Sequence, residues 1–145
     1  WPAGVGGKGN AGVAGLIRQT PGAIGYINQS YIKGKLRAAA LQNLSGEFLT
    51  PSTKAGSTAL NGIKLDQNLA GKDPNPTIQG AYPIATLTWV LAYEKGNGSK
   101  AKAIKESLDY LLSNEAQSKA PLLGFVPLEG EILNKARAAV RRIGE

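Results

Sequence analysis

Apolar residues recur at helical spacing in three places along the chain. Val13, Leu16 and Ile17 form a narrow stripe that predicts a helix over 10–20. Ala101, Ile104, Leu108, Leu111 and Leu112 mark the buried face of a second, from about Lys100 to Ala116. Ile132, Leu133, Ala136, Val140 and Ile143 give a last helix over 129–143 its stripe. Two other apolar runs lack that period. Ala23 to Ile27 reads as a buried strand. Pro83 to Tyr93 reads as the strongest strand: Ile84, Leu87, Val90 and Leu91 are apolar, and Thr86, Thr88 and Trp89 favour extended backbone. Both of its faces are fairly apolar, which suits a sheet covered on two sides, as in α/β folds.

Helix and turn signals divide these runs. Asn10 is a candidate N-cap, since its side-chain oxygen can accept from first-turn amides. Pro21 stops the first helix and Gly22 turns the chain. Asn28 to Lys33 makes a turn or short helix, and Gly34 ends it. The stretch from Leu36 to Leu44 is ambiguous between helix and strand. Thr50-Pro51 is a helix start that runs to about Leu60, stopped by Asn61-Gly62. Gly56 weakens that helix by about 1 kcal/mol relative to Ala. Residues 64–81, with Asp66, Gly71, Asp73, Pro74, Pro76 and Gly80, read as loop. Gly96-Asn97-Gly98 is a turn, after which Ser99 caps the next helix. Lys102 and Glu106, and Lys105 and Asp109, are placed to pair at i,i+4. Leu122 to Leu128 is a connector that plugs the core and sets the entry of the last helix.

Composition narrows the chemistry. A chain of 145 residues with 42% hydrophobic and 19% charged positions is long enough for one domain with a real core. Cys and His are both absent, which excludes thiol chemistry, disulfides, Ser-His-Asp catalysis and the usual zinc sites. The carboxylates, Glu47, Glu94 and Glu106 among them, are scattered without evident pairing, and no calcium-ligand spacing surrounds Asp66 or Asp73. Neither an enzyme nor a metal or cofactor site is expected. The net charge of +7 raises nucleic-acid binding as an alternative. The basic residues fall in three separate places, around Lys33, around Lys102 and around Arg141, without interleaved aromatics, so nucleic acid is not the expected partner. Arg137, Arg141 and Arg142 sit near a helix C-terminus, where cations suit the dipole. No apolar run is long enough for a transmembrane helix. Without a signal peptide or any Met, a chain starting at Trp1 reads as processed, cleaved or incompletely observed.

The glycine-rich stretch 4–10 precedes the first helix, with Gly4, Gly6, Gly7 and Gly9 around Lys8. It has two readings. Free amides at a helix start, with Lys8 beside them, can cradle an anion, which makes Gly7, Lys8, Gly9 and Asn10 weak site candidates. Alternatively the glycines simply permit tight packing, the favoured account on residue types alone. The spacing is not that of a P-loop, since no Ser or Thr follows the lysine.

W-P-x-G-x-G-G-K-G-N, a short helix and then P-G-A-I-G-Y together resemble the phosphate-binding proteins of ABC phosphate transporters, the PstS type. Tyr82-Pro83-Ile84-Ala85-Thr86-Leu87-Thr88 looks like that family's P-I-x-x-x-T strand, and Gly124-Phe125-Val126-Pro127-Leu128 its G-[YF]-x-P-L segment. The resemblance covers nearly all of the chain but only the C-terminal half of a family member. It implies an α/β fold: part of a two-lobed, type II periplasmic-binding-protein architecture lacking its N-terminal half. Residues 1–80 would belong to the second lobe and 81–145 to the first, with a crossover near 80. It also implies strand for Ala40–Leu44, a Ser45-Gly46 turn and a second strand at Glu47–Leu49.

By the same resemblance the whole protein captures inorganic phosphate for an ABC permease, in the periplasm or at the cell surface. Another oxyanion, such as sulfate or molybdate, is the alternative ligand, and a basic module for nucleic acid or an acidic partner the alternative class. The family's phosphate ligands lie upstream of W-P-x-G, so none transfers to residues 1–145. Gly56-Ser57-Thr58 has similar residue types but does not align with the family's Ser-Gly-Thr site. The chain alone is expected to expose sheet edges, to bind phosphate poorly, and to pair with the missing half or with itself.

Overall fold

The computed structural model describes residues 2–144. They form two compact units, Trp1–Ala39 and Ala40–Glu145.

The first unit is built on helix α1, Gly9–Gln19. Val13, Leu16 and Ile17 are half-buried, as their stripe predicts. The chain ends the helix with Thr20 N–H donating to the Leu16 carbonyl, then turns: Ala23 N–H reaches the Thr20 carbonyl and Gly22 takes φ +79°. Pro21 followed by a left-handed glycine is the sequence of a type II turn. The run 23–27 has no regular secondary structure and pairs with no strand among the described residues, and Ile24 is 97% exposed. The buried strand expected here does not form, because a strand needs a hydrogen-bonded neighbour. The run instead lies along α1 through Gly25, where an added Cβ would meet Ile17 Cδ1 at 2.8 Å. A short 3-10 turn follows at Gln29–Tyr31, with the Asn28 side chain accepting from Ser30 N–H.

The second unit opens with a hairpin. Strands β1, Leu41–Gln42, and β2, Phe48–Leu49, pair antiparallel, with Leu41 opposite Leu49. Helix α2, Thr53–Asn61, starts later than the Thr50-Pro51 signal suggests. Ser52 is its cap, the hydroxyl accepting from Ala55 N–H at 3.1 Å. Gly56 is buried within it, and a Cβ there would lie 2.5 Å from Val126 Cγ2. What the helix loses in propensity it recovers as a close approach.

Residues 64–81 are loop, as expected, but Asp66 is not merely solvated: its carboxylate accepts from Asn68 and Ala70 N–H. The strand expected at 83–93 is corrected as well. Pro83 and Ile84 make a turn, with Ile84 at φ +65°, and 85–93 have no regular secondary structure and join no strand among the described residues. Ala85 and Leu87 pack on the core, while Val90, Leu91 and Tyr93 are exposed. Trp89 donates its indole N–H to the Leu69 carbonyl at 2.7 Å.

The helix expected over 99–116 is two helices. After a 3-10 turn at Gly98–Lys100, α3 covers Ala101–Leu111 and α4 covers Asn114–Lys119. Ser113 divides them because its hydroxyl caps Ala116 N–H, offering the backbone a new start. Ser99, the expected cap, lies inside the 3-10 turn, and Leu111 is exposed. Lys102 reaches Glu106 at 3.8 Å, whereas Lys105 turns to the Arg141 carbonyl instead of Asp109. Helix α5, Gly130–Arg141, buries Ile132 and Val140. Leu60, Ile63 and Ile132 form the core cluster, with Leu65, Ala85, Leu87, Val126 and Leu128 packed against it. Of the connector, Val126 and Leu128 join that cluster; Leu122, Leu123 and Phe125 stay exposed. Helices with one small antiparallel hairpin, among the described residues, are consistent with a mixed α/β fold.

Candidate functional site

The glycine loop is shaped by its own helix. A Cβ at Gly7 would lie 2.6 Å from Val13 N and 2.8 Å from the Gly12 carbonyl carbon. Backbone rather than a movable side chain stands in that space, so Gly7 is required by close approach. Lys8 is the N-cap of α1 without a side-chain cap, and Gly12 N–H donates to its carbonyl at 3.2 Å. Gly9 opens the helix at φ +64°. Asn10 is not the cap expected of it. It lies one residue into the helix, and its Oδ1 accepts from Asn28 N–H at 2.8 Å, tying α1 to the 3-10 turn. Thus Gly7 and Asn10 have structural roles, while Lys8 and Gly9 stand exposed at the positive end of the helix.

Ser57 and Thr58 are engaged within their own unit. Ser57 Oγ meets a Glu129 carboxylate oxygen at 3.4 Å, and Thr58 Oγ1 donates to the Lys54 carbonyl at 3.0 Å. Beside them lies an open depression of about 600 Å³, lined by Phe48, Thr50, Ser52, Lys54, Gln79 and Gly80 among others. One side is the hairpin, another the start of α2.

The densest polar cluster in the second unit sits at the edge of that depression, and the sequence reading missed it. Asn43 is 4% exposed. Its Oδ1 accepts from Ser45 N–H and Glu47 N–H, its Nδ2 donates to the Ala81 carbonyl at 3.1 Å, and the Ser45 hydroxyl lies between Asn43 Oδ1 and Glu47 Oε2, donating its single proton to one or the other. Glu47 Oε2 accepts from Gly80 N–H at 2.6 Å and lies 3.0 Å from Ser45 Oγ. These bonds hold its carboxyl below the usual glutamate range, the Gly80 amide first, then the Ser45 hydroxyl and the Asn43 amide, with burial opposing. The available signal was Asn-x-Ser-Gly-Glu around a turn, where Asn and Ser bond locally to backbone. Their reach to a segment more than thirty residues away is set by tertiary structure.

The described residues hold no group of three or more His, Cys, Asp and Glu placed to bind a metal ion. No described helix is long and apolar enough to cross a membrane.

Comparison with known proteins now places this architecture. A model of the PBP superfamily domain matches residues 1–115. The phosphate-binding protein PstS of Methanocaldococcus jannaschii is 32% identical over 170 residues, covering 100% of this chain and 42% of that protein. PstS of Xylella fastidiosa (strain Temecula1) is 33% identical over 144 residues, 95% of this chain and 39% of its own length. PstS of Haemophilus influenzae is 30% identical over 143 residues, again 95% of this chain and 42% of its own. The chain spans about two-fifths of the length of these curated relatives. Matched by the family's model over most of its residues, the chain belongs to the PBP superfamily.

Proposed function

We propose that this chain is the C-terminal part of a non-enzymatic solute-binding protein that captures inorganic phosphate outside the cytoplasm and hands it to an ABC permease. The observation that carries the reading is the likeness to phosphate-binding proteins along the whole chain, at 30–33% identity. The ordered motifs W-P-x-G-x-G-G-K-G-N and P-G-A-I-G-Y support it. Residues 1–80 belong to one lobe and 81–145 to the other, with the crossover near 80. The N-terminal half supplies the phosphate ligands and the strands that cover Val90, Leu91 and Tyr93, all exposed here. In the closed protein, amides, hydroxyls and an arginine from that half replace the water around the anion. Lys8 and the Gly9 amide add positive potential from their helix start without contacting the ligand.

Calorimetric titration of the intact protein with inorganic phosphate tests this. The expected result is saturable 1:1 binding that sulfate and molybdate do not displace at equal concentration, and no saturable phosphate binding by residues 1–145 alone. Displacement by sulfate or molybdate would move the assignment to another oxyanion. Absence of binding by the intact protein, with retention of nucleic acid at low salt, would overturn it.

A further inference from the structure

The cluster at the tip of the hairpin holds the 78–81 turn at two points of opposite character. Asn43 is neutral and buried, and it grips the Ala81 carbonyl at 3.1 Å; Ala81 itself is fully buried. Glu47 is charged and half-buried, and it grips the neighbouring Gly80 N–H at 2.6 Å. Gly80 sits at φ +75°, a conformation that does not hold itself for lack of steric bias. Beyond the turn, Tyr82 N–H donates to the Ala55 carbonyl of α2, so the chain is pinned again two residues on.

We propose that Glu47 is a positioning residue: a detachable latch that closes the 78–81 turn onto the hairpin while Asn43 acts as its permanent pin, so that the turn pivots at Ala81 when the latch opens. The two grips differ in the way this requires. A buried amide cannot exchange its partners for water without leaving a polar group unsatisfied. A solvent-accessible carboxylate can, by rotation or by protonation. The turn borders the depression lined by Phe48, Thr50, Lys54 and Gly80. Latch position therefore sets the width of the depression on that side, while the chain beyond it stays pinned through Tyr82 and the core residues Ala85 and Leu87. The inference stands on these contacts and is independent of the ligand.

The groups around the carboxylate are few. The hairpin brings Asn43 and Ser45, the turn brings the Gly80 amide, and α2 brings Lys54 to the wall of the same depression. Tyr82 is the nearest titratable side chain in sequence after the turn, and burial raises its phenol, away from the acid range. Donors alone account for the lowered Glu47 carboxyl, with no charged neighbour contributing. The latch is thus closed above the ordinary glutamate range and opens as pH falls through the depressed value.

Gln79-Gly80 is the one Gln-Gly pair in these 145 residues, so labelling glutamine carbonyl carbon and glycine nitrogen in the intact protein isolates the Gly80 amide within this chain. The wild-type resonance is expected to titrate with a midpoint below the usual glutamate value, and the inflection to vanish in Glu47→Gln. At neutral pH, Glu47→Ala should speed Gly80 amide exchange about tenfold or more, with Tyr82 amide exchange unchanged. A Gly80 resonance with no acid inflection in the wild type would overturn the latch, whether or not the variants fold. So would equal acceleration of Gly80 and Tyr82, which would mark a merely structural role.

Discussion

The Arg137 guanidinium holds the Leu112 carbonyl in a two-pronged grip, Nε at 3.0 Å and Nη2 at 2.6 Å. Leu112 is the C-cap of α3, where the last carbonyls of a helix lack partners. Nη2 also reaches Asn114 Oδ1 in the first turn of α4. One side chain of α5 therefore fixes the break between two helices. Arg137→Ala should lower stability by about 1–3 kcal/mol, read by denaturant unfolding. Arg137→Lys should recover only part of that, because a single ammonium cannot reproduce the fork.

Gly56 and Val126 are complementary in volume. Gly56→Ala gains about 1 kcal/mol of helix propensity but forces a methyl into Val126 Cγ2. The overpacking should win, with a net loss of about 1–2 kcal/mol. Val126→Ala in the same chain should reverse the sign of the Gly56→Ala effect. A double-mutant cycle checks it, and additivity within about 0.5 kcal/mol would sink the idea.

Ser52 and Ser113 cap α2 and α4 with bonds of equal length, 3.1 Å to the N3 amides. Replacing either by Ala should cost about 1 kcal/mol, and by Asp much less. Ser99→Ala, at the cap position read from sequence, should change thermal unfolding very little, since its hydroxyl caps no helix.

The Glu131–Lys135 pair, at 2.7 Å on α5, makes an acid-side prediction. The Lys135 ammonium, by hydrogen bond and charge, holds the Glu131 carboxyl below its usual range. Its small contribution is complete above that range and lost as pH falls through the lowered value. Carbon-detected titration of Glu131 should return to the ordinary range in Lys135→Met. High salt should weaken the shift, as both side chains face solvent.

Leu91 is 96% exposed within a run that nothing among residues 40–144 covers. Leu91→Lys should leave the thermal stability of the chain within about 0.5 kcal/mol, as for other exposed sites. It should also reduce self-association of the chain in sedimentation equilibrium. An unchanged association constant would assign the contact to another surface.

Much of the helical part was legible from periodicity, because the stripes of α1, α3 and α5 are local facts. The hairpin at 41–49 was placed by resemblance rather than pattern, since Leu36 to Leu44 fits either period. The strands expected at 23–27 and 83–93 do not form, for a physical reason: β-propensity describes a side chain on a paired surface, and neither run joins a strand ladder among the described residues. The split at Ser113 was hidden because apolar spacing runs through Leu111 and Leu112 while a single hydroxyl decides the cap. At the candidate site, the glycine loop was visible, but Asn10 exchanged its expected capping role for a bond to Asn28. Glu47 looks solitary in sequence because its shortest bond is to the Gly80 backbone amide, which leaves no trace in side-chain identity.

The loop before α1 also bears on how this sequence tolerates change. Its glycines are not equivalent: Gly6 has open space around it, Gly9 needs its left-handed backbone, and Gly7 is hemmed in by the Gly12–Val13 backbone. A library randomised over 4–10 should retain Gly7 almost without exception, admit Asn or Asp at 9, and drift freely at 6. The informational weight of this glycine-rich signature thus rests on Gly4 and Gly9 for their positive φ and on Gly7 for its close approach, and a search pattern built on those three would be narrower than one that counts glycines.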